Sequence, residues 1–340
     1  MKILFRTSGG RRRGRELGFG HVVRSTNLAL ELKSHEIHFL IEDYGGIKKL
    51  LVERGYDKVS FLPNDVSPSS DLKKTLEYIK NNEIDLLIVD KYRVDSRYLK
   101  EIKKFVRVVV ITDLKKFDHP SDLVVNGFIG FKNQIKVNSY GARCLLGPSY
   151  QILNRNFQTK KKSQGKKYAI LATFGGFDES NIIRDFLNTI EKYLDKYRVK
   201  LILGPGTTKS NKIKDFQRRY KNNLQVLQHT KDMHGEILQS KFGICSGGIT
   251  SYEFAAMGVP FAIICQAPHQ LLTAREWERR GLAYNLGMNK KIPKKLDSVL
   301  KRFLHGGRLK TKKRLVDGKG SFRVSKQIEK LLMRKNTLRK

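Results

Sequence analysis

Apolar residues fall in short continuous runs along the first half of the chain, at 2–5, 37–41, 59–62, 86–89, 108–111 and 123–125. Between them, at 22–32, 47–54, 72–80 and 97–105, apolar positions recur at the three- and four-residue spacing of a helix with one buried face. Runs of Val, Ile and Leu without polar alternation suit strands covered on both sides. Strands that alternate with helices predict a parallel sheet. The stretch 157–167 is polar and basic and reads as a linker. The pattern then restarts, with runs at 168–173, 199–203, 224–227, 242–245 and 261–265. Helical spacing returns at 182–194, 213–220, 250–257, 273–280 and 296–304. The expectation is an α/β chain of two Rossmann-like units, 1–156 and 168–320, followed by a helix and a polar, basic tail over 321–340. No internal repeat goes beyond this shared pattern.

Composition narrows the picture without choosing a function. The chain has 340 residues, 39% of them hydrophobic, enough for two cores. No apolar run approaches the roughly 18 residues of a membrane span, and the run at 2–5 is too short for a secretory signal. Cys144, Cys245 and Cys265 have no metal-ligand spacing, which points to free thiols in a reducing, cytoplasmic setting. The net charge of +36 draws polyanions, anionic lipid surfaces and phosphorylated substrates alike. A weak peripheral contact with the inner membrane surface is therefore expected. Specific nucleic-acid binding is not, since the chain has no RNA-recognition aromatic motif, zinc-finger spacing or basic zipper.

In parallel sheets, ligands sit beyond the carboxyl ends of the strands. Gly18-Phe19-Gly20-His21 lies there, between the first strand and a helix. Glycines let a backbone approach a ligand, and a helix N-terminus favours negative charge. His21 is thus a candidate base. Asp90, Tyr92 and Asp113 follow later strands, at the same ligand edge, and could equally cap a helix or a turn. In the second unit Gly175-Gly176 follows one strand, and Ser246-Gly247-Gly248-Ile249-Thr250-Ser251 leads from another into a helix. Free N–H groups, hydroxyls on Ser246, Thr250 and Ser251, and the helix dipole make an anion cradle. Glu253 lies on the same helix face as Thr250, placed to accept hydrogen bonds from a ribose diol or merely to sit well in a helix's first turn.

These pieces together resemble the UDP-sugar hydrolase of the pseudaminic acid pathway and its spore-coat relatives. The resemblance rests on Gly18-Phe19-Gly20-His21-Val22-Val23-Arg24, Phe174-Gly175-Gly176-Phe177-Asp178 and Gly247-Gly248-Ile249-Thr250-Ser251-Tyr252-Glu253. Leu146-Gly147-Pro148-Ser149-Tyr150, Asp113 and Asp317-Gly318-Lys319-Gly320 add to it. The glycine motifs are shared with the wider class that includes the peptidoglycan UDP-GlcNAc transferase. The resemblance implies a glycosyltransferase-B-like fold, two Rossmann-like domains whose sheets face a cleft, with UDP held mainly by the second. It implies hydrolysis of a UDP-diacetamido-trideoxyhexose at the anomeric carbon with no metal or cofactor, water as acceptor and His21 activating it. The implied UDP contacts are Gly18, Gly20, Gly175, Gly176, Ser246, Gly247, Gly248, Thr250, Ser251, Glu253 and Gln270. Asp90, Tyr92, Asp113 and Tyr150 are the sugar-side candidates.

The chain departs from that pattern in places. Arg6-Thr7-Ser8 replaces the usual Arg-x-Asp, and the following segment is basic, with Arg11, Arg12, Arg13 and Arg15. These arginines suit a more acidic sugar or a phosphorylated carrier. His269-Gln270 resembles a donor-contacting pair, while Thr273 stands where transferases often have asparagine. Transfer of the same kind of sugar to a sugar, lipid or protein acceptor is the alternative reading.

Overall fold

In the computed structural model the described residues are 1–12, 15–92, 94–159, 165–178, 181–288, 292–307 and 315–333. Of residues 11, 12, 15–17, 43 and 292 only the backbone is described. The chain divides into two compact units: Met1–Arg155 with the segment from Gly318 onward, and Asn156–Asp317. The segment from Gly318, expected to close the second unit, and the helix that follows it group with the first unit.

The first unit runs β1 (Lys2–Arg12), β2 (Arg15–Gly18), α1 (Gly20–Ala29), β3 (Glu36–Tyr44), α2 (Ile47–Glu53) and β4 (Val59–Leu62). It continues with α3 (Pro68–Asn81), β5 (Leu86–Asp90), α4 (Ser96–Lys103), β6 (Arg107–Ile111), β7 (Leu123–Asn126), β8 (Gln134–Val137) and β9 (Arg143–Leu146). Local signals set several boundaries. Ser67 Oγ accepts the Ser70 N–H and Pro68 opens α3, as in a typical helix start. The strand order is β4-β3-β1-β5-β6-β7-β9-β8, parallel apart from the β8–β9 edge, with β2 paired antiparallel to β1. Leu86, Leu87, Ile88 and Val89 of β5 and Val108, Val109 and Val110 of β6 are all fully buried, which is why these strands read as unbroken apolar runs.

The second unit runs β10 (Tyr168–Thr173), α5 (Ile182–Ile190), β11 (Val199–Leu203), α6 (Asn211–Arg219), β12 (Leu224–Gln228) and α7 (Met233–Leu238). It continues with β13 (Ser240–Cys245), α8 (Ile249–Met257), β14 (Phe261–Ile264), α9 (Pro268–Arg279), β15 (Ala283–Gly287) and α10 (Ile292–Leu304). Its sheet is wholly parallel, in the order β12-β11-β10-β13-β14-β15. Phe186, Leu187 and Ile190 of α5 and Leu296 and Leu300 of α10 pack on one of its faces. The C-terminal helix α11 (Gly320–Met333) returns to the first unit, where Glu329 pairs with His35 Nε2 at 2.9 Å.

Several expectations change. The first strand does not stop at residue 5. Arg6, Thr7 and Ser8 are buried, Gly10 still pairs with Tyr44, and the strand continues to Arg12, its end paired antiparallel with β2. Arg13, Lys160–Lys162 and 334–340 lie outside the described residues. Strands β8 and β15 escaped notice because they are edge strands with mixed polar faces. Helix α9 begins at Pro268 rather than 273, which puts His269 and Gln270 in its first turn.

Candidate active site

Both sheets share one topological feature. The first strand of each unit lies between strands that follow it in opposite directions across the sheet, and in such sheets ligands bind outside the carboxyl ends at this switch point. In the first unit the point lies between β1 and β5, where Thr7 pairs with Asp90. In the second it lies between β10 and β13, where Thr173 pairs with Cys245.

At the first switch point Gly18, with φ +67°, turns the chain from β2 into α1, a conformation that glycine adopts without strain. The helix starts without a side-chain cap, and a methyl at Gly20 would meet nothing within 4 Å. His21, in this first turn, has 19% of its side chain exposed. One turn on, Arg24 is buried and forks between two carboxylates. Its Nε and Nη2 donate to Asp90 Oδ2 and Oδ1 at 2.9 and 2.6 Å. Its Nη1 and Nη2 donate to Asp113 Oδ1 and Oδ2 at 2.5 and 3.1 Å. Asp113 Oδ2 lies 3.8 Å from His21 Nε2, while His21 Nδ1 and Thr7 Oγ1 are buried with no hydrogen-bond partner. Desolvation opposes the Asp113 charge, but Arg24 and then His21 outweigh it and hold the carboxyl well below the usual range. The cluster of Arg24, Asp90 and Asp113 carries a formal charge of −1.

A second buried cluster centres on Arg6. The Arg6 Nε and Nη2 donate to Asp71 at 2.8 and 2.9 Å, and Nη2 also reaches Glu42 at 2.6 Å. Lys91 pairs with the same Asp71. Two cations and two carboxylates balance, so Arg6 is satisfied within the core.

In the second unit Ser246, Gly247 and Gly248 connect β13 to α8, which again starts without a side-chain cap. A methyl at Gly248 would meet nothing within 4 Å, so the helix terminus is open to a ligand. A methyl at Gly175 would stand 3.3 Å from Ser246 Oγ, so the Gly175-Gly176 turn and the Ser246 turn adjoin. Gln270 Oε1 accepts the N–H groups of Gly247 and Gln266, at 3.3 and 2.9 Å, and Gln266 Nε2 donates to the Phe174 carbonyl. The ends of β10, β13 and β14 are thereby tied together. Thr250 is half-buried. Glu253 is 8% exposed, and its charge, after burial, helps push the Cys245 thiol up.

Some expected contacts are already committed. Ser251 Oγ donates to the Gly248 carbonyl at 2.7 Å and accepts from Trp277 Nε1 at 3.1 Å, so it braces the helix start instead of facing a ligand. Asp90 is 1% exposed with both oxygens on Arg24, so it is not a sugar contact. Asp178 accepts the N–H groups of Ile182 and Ile183 and caps α5. Tyr92 is 63% exposed and Tyr150 is half-buried in a single helical turn. The Leu-Gly-Pro-Ser-Tyr and Asp-Gly-Lys-Gly motifs meet: a side chain at Gly320 would strike the Gln151 backbone, and Arg323 Nη1 donates to the Ser149 carbonyl at 3.0 Å. Their signature is packing, not chemistry. Sequence reasoning passed over Arg24, although its place one helical turn after His21 was visible, and Gln266, which carries no motif. Among the described residues no group of three or more His, Cys, Asp or Glu side chains could hold a metal ion. No helix among them is long and apolar enough to cross a membrane.

Residues 170–328 match the family described as glycosyltransferase family 28 C-terminal domain. The matched segment begins inside β10. It includes Gly175, Gly176, Ser246–Gly248, Glu253 and Gln270, and ends inside α11. The whole chain is similar to the spore coat polysaccharide biosynthesis protein SpsG of Bacillus subtilis strain 168, 28% identical over 94% of this chain and 96% of that protein. Among solved structures it is similar to MurG of Acinetobacter baumannii, at TM-score 0.64 and 17% identity over 97% of this chain and all of that one. It is also similar to the MnaA–UDP co-structure from S. aureus, at TM-score 0.63 and 12% identity over 97% and 96%. The two parallel-sheet α/β units therefore have a glycosyltransferase-B fold, and the segment that matches the family 28 description carries the second sheet.

Proposed function

We propose that the protein hydrolyses a UDP-linked amino-sugar of the diacetamido-trideoxyhexose type, releasing UDP and the free sugar for nonulosonic (pseudaminic-type) acid biosynthesis. The observation that carries this reading is His21 at the first switch point, its Nε2 3.8 Å from an ionised carboxylate. The open N-terminus of α8 at the second switch point supports the nucleotide side, as does the similarity to a polysaccharide biosynthesis protein. Water gives a proton to His21 as its oxygen bonds to the anomeric carbon. The bond from that carbon to the β-phosphate oxygen breaks, and its electron pair leaves with UDP. The free N–H groups and dipole of α8 favour the diphosphate, and Glu253 accepts from the ribose. Gly18, Gly20, Gly175, Gly176, Gly247, Gly248, Thr250 and Gln270 shape the nucleotide path, while Tyr150 is a sugar-side contact. A cytoplasmic enzyme fits this chemistry, and the +36 charge suits a peripheral contact with anionic surfaces.

The family 28 description favours a second reading, transfer of the sugar to an alcohol acceptor. A panel of UDP-amino-sugars, incubated in ¹⁸O-labelled water with and without acceptors, separates the two. Hydrolysis at carbon puts the label in the sugar when products are analysed before exchange. Label in UDP would place the attack at phosphorus, and UDP release only with an acceptor would make the protein a transferase.

A further inference from the structure

We infer that Asp113 selects water as the acceptor, by receiving one of its two protons in a hydrogen bond while His21 receives the other. The inference rests on the hydrolytic reading and adds what that reading leaves open, which is how the site prefers water to an alcohol.

The two carboxylates on Arg24 are not equivalent. Asp90 is sealed, with both oxygens taken by Arg24. Asp113 has 55% of its side chain exposed and faces His21, whose Nε2 is 3.8 Å from its Oδ2. That oxygen accepts one hydrogen bond from Arg24, at 3.1 Å, and a carboxylate oxygen has a second lone pair to offer. Arg24 keeps Asp113 ionised, so the group only accepts. On the imidazole, Nδ1 is buried, which leaves Nε2 as the nitrogen that a water can reach.

Two acceptors of one water, each about 2.8 Å from its oxygen, stand roughly 4.4 Å apart at the water angle. The observed 3.8 Å is close to that spacing. Water placed there donates one hydrogen to Nε2 and one to Oδ2, and its lone pairs remain for the anomeric carbon. As the carbon–oxygen bond forms, the first proton moves to Nε2 and the electron pair of the broken bond leaves with UDP. Asp113 keeps its hydrogen bond and takes no proton. An alcohol has a single O–H and leaves one of the two acceptors unmet. A site built around a hydrogen bond discriminates against the analogue that lacks it.

The test measures partition. The wild type, Asp113→Ala and Asp113→Asn are run on a turned-over UDP-amino-sugar in water–methanol mixtures, and free sugar and methyl glycoside are counted by mass spectrometry. The wild type should form free sugar almost alone. Asp113→Ala should lose hydrolysis by about 10²-fold, the low end for a group that handles a reacting proton, while its ratio of methyl glycoside to free sugar rises about tenfold, a difference of about 1.4 kcal/mol. Arg24 keeps Asp90 in this variant. Should Asp113→Ala fail to fold, Asp113→Asn preserves the shape and should move the ratio the same way. A merely structural Asp113 would lower both products together and leave the ratio at its wild-type value, which overturns the inference. So would a wild type that transfers to methanol as readily as to water. A wild type that cleaves no UDP-sugar under any condition refutes the reaction itself, a separate result.

Discussion

Arg24 holds Asp90 by two hydrogen bonds, Nε to Oδ2 at 2.9 Å and Nη2 to Oδ1 at 2.6 Å, beneath the helix that carries His21. The pair fixes the first turns of α1 to the carboxyl end of β5. Desolvation works against the Arg24 charge, yet Asp113 and Asp90 hold it well above its ordinary pKa, so the guanidinium stays charged.

Arg24→Ala should therefore be costly. It leaves Asp90 buried without its cation, and breaking a buried pair by removing one partner typically costs about 3–5 kcal/mol. Arg24→Lys should recover only part of this, because an ammonium cannot fork across two carboxylates. Urea unfolding of the three proteins at neutral pH gives the comparison. Equal stability of Arg24→Lys and wild type would mean that charge alone matters there.

Asp71 predicts a pH dependence. Burial raises its pKa, but Arg6 and then Lys91 overcome this and leave it lowered in the folded protein. The unfolded carboxyl titrates near about 3.9. A depressed folded pKa contributes stability that is complete above the unfolded value and fades as pH falls toward the folded one. The stability gap between wild type and Asp71→Asn should thus be constant above about pH 5 and shrink below about pH 4. Denaturation followed from pH 7 to pH 3 checks the sign, and a gap that widens in acid contradicts the assignment.

Gln270 should affect the nucleotide. Its Oε1 accepts from Gly247 and Gln266 and so sets the turn that opens α8. Gln270→Ala frees both N–H groups and loosens the cradle. UDP affinity measured by calorimetry should fall by about 1–3 kcal/mol, with the fold intact. Undiminished affinity would place the nucleotide elsewhere.

How far the sequence spoke depended on the kind of signal. Fully buried strands such as β5 and β6 announce themselves as unbroken runs, and the Gly18–His21 and Ser246–Thr250 turns show as glycines between a run and a helix. The continuation of β1 was hidden because its residues are Arg6, Thr7 and Ser8. Arg6 is buried only because Asp71, from α3, and Glu42, from β3, come to meet it. No local pattern encodes such long-range pairing. For the same reason Asp90 and Asp113 looked alike along the chain, each a lone acid after a strand. One is locked under Arg24 and the other faces His21. Ser251 looked like a ligand hydroxyl until Trp277, 26 residues away, claimed it.

Metal dependence separates two ways of neutralising a diphosphate. The proposed reaction gives that task to the N–H groups and dipole of α8. Turnover should then persist in excess chelator. Activity lost in EDTA and restored by magnesium or manganese would assign the leaving group to a cation instead.

His21 carries the most direct prediction. Its ring stands in the first turn of α1, in the first unit, whereas most of the proposed UDP contacts, Gly247, Gly248, Thr250 and Gln270 among them, belong to the second. His21→Ala should therefore fold and bind UDP with wild-type affinity. Its turnover should fall by about 10²–10⁴, the usual effect of losing a positioned acid–base group. His21→Asn refines the test. An asparagine can hold a water by hydrogen bonds but cannot accept its proton at neutral pH, so it should be as slow as alanine. Recovery of activity by asparagine alone would make orientation, not proton transfer, the role of the ring. Full turnover by both variants would remove His21 from the reaction, and the carboxylate 3.8 Å from its Nε2 would lose its part with it.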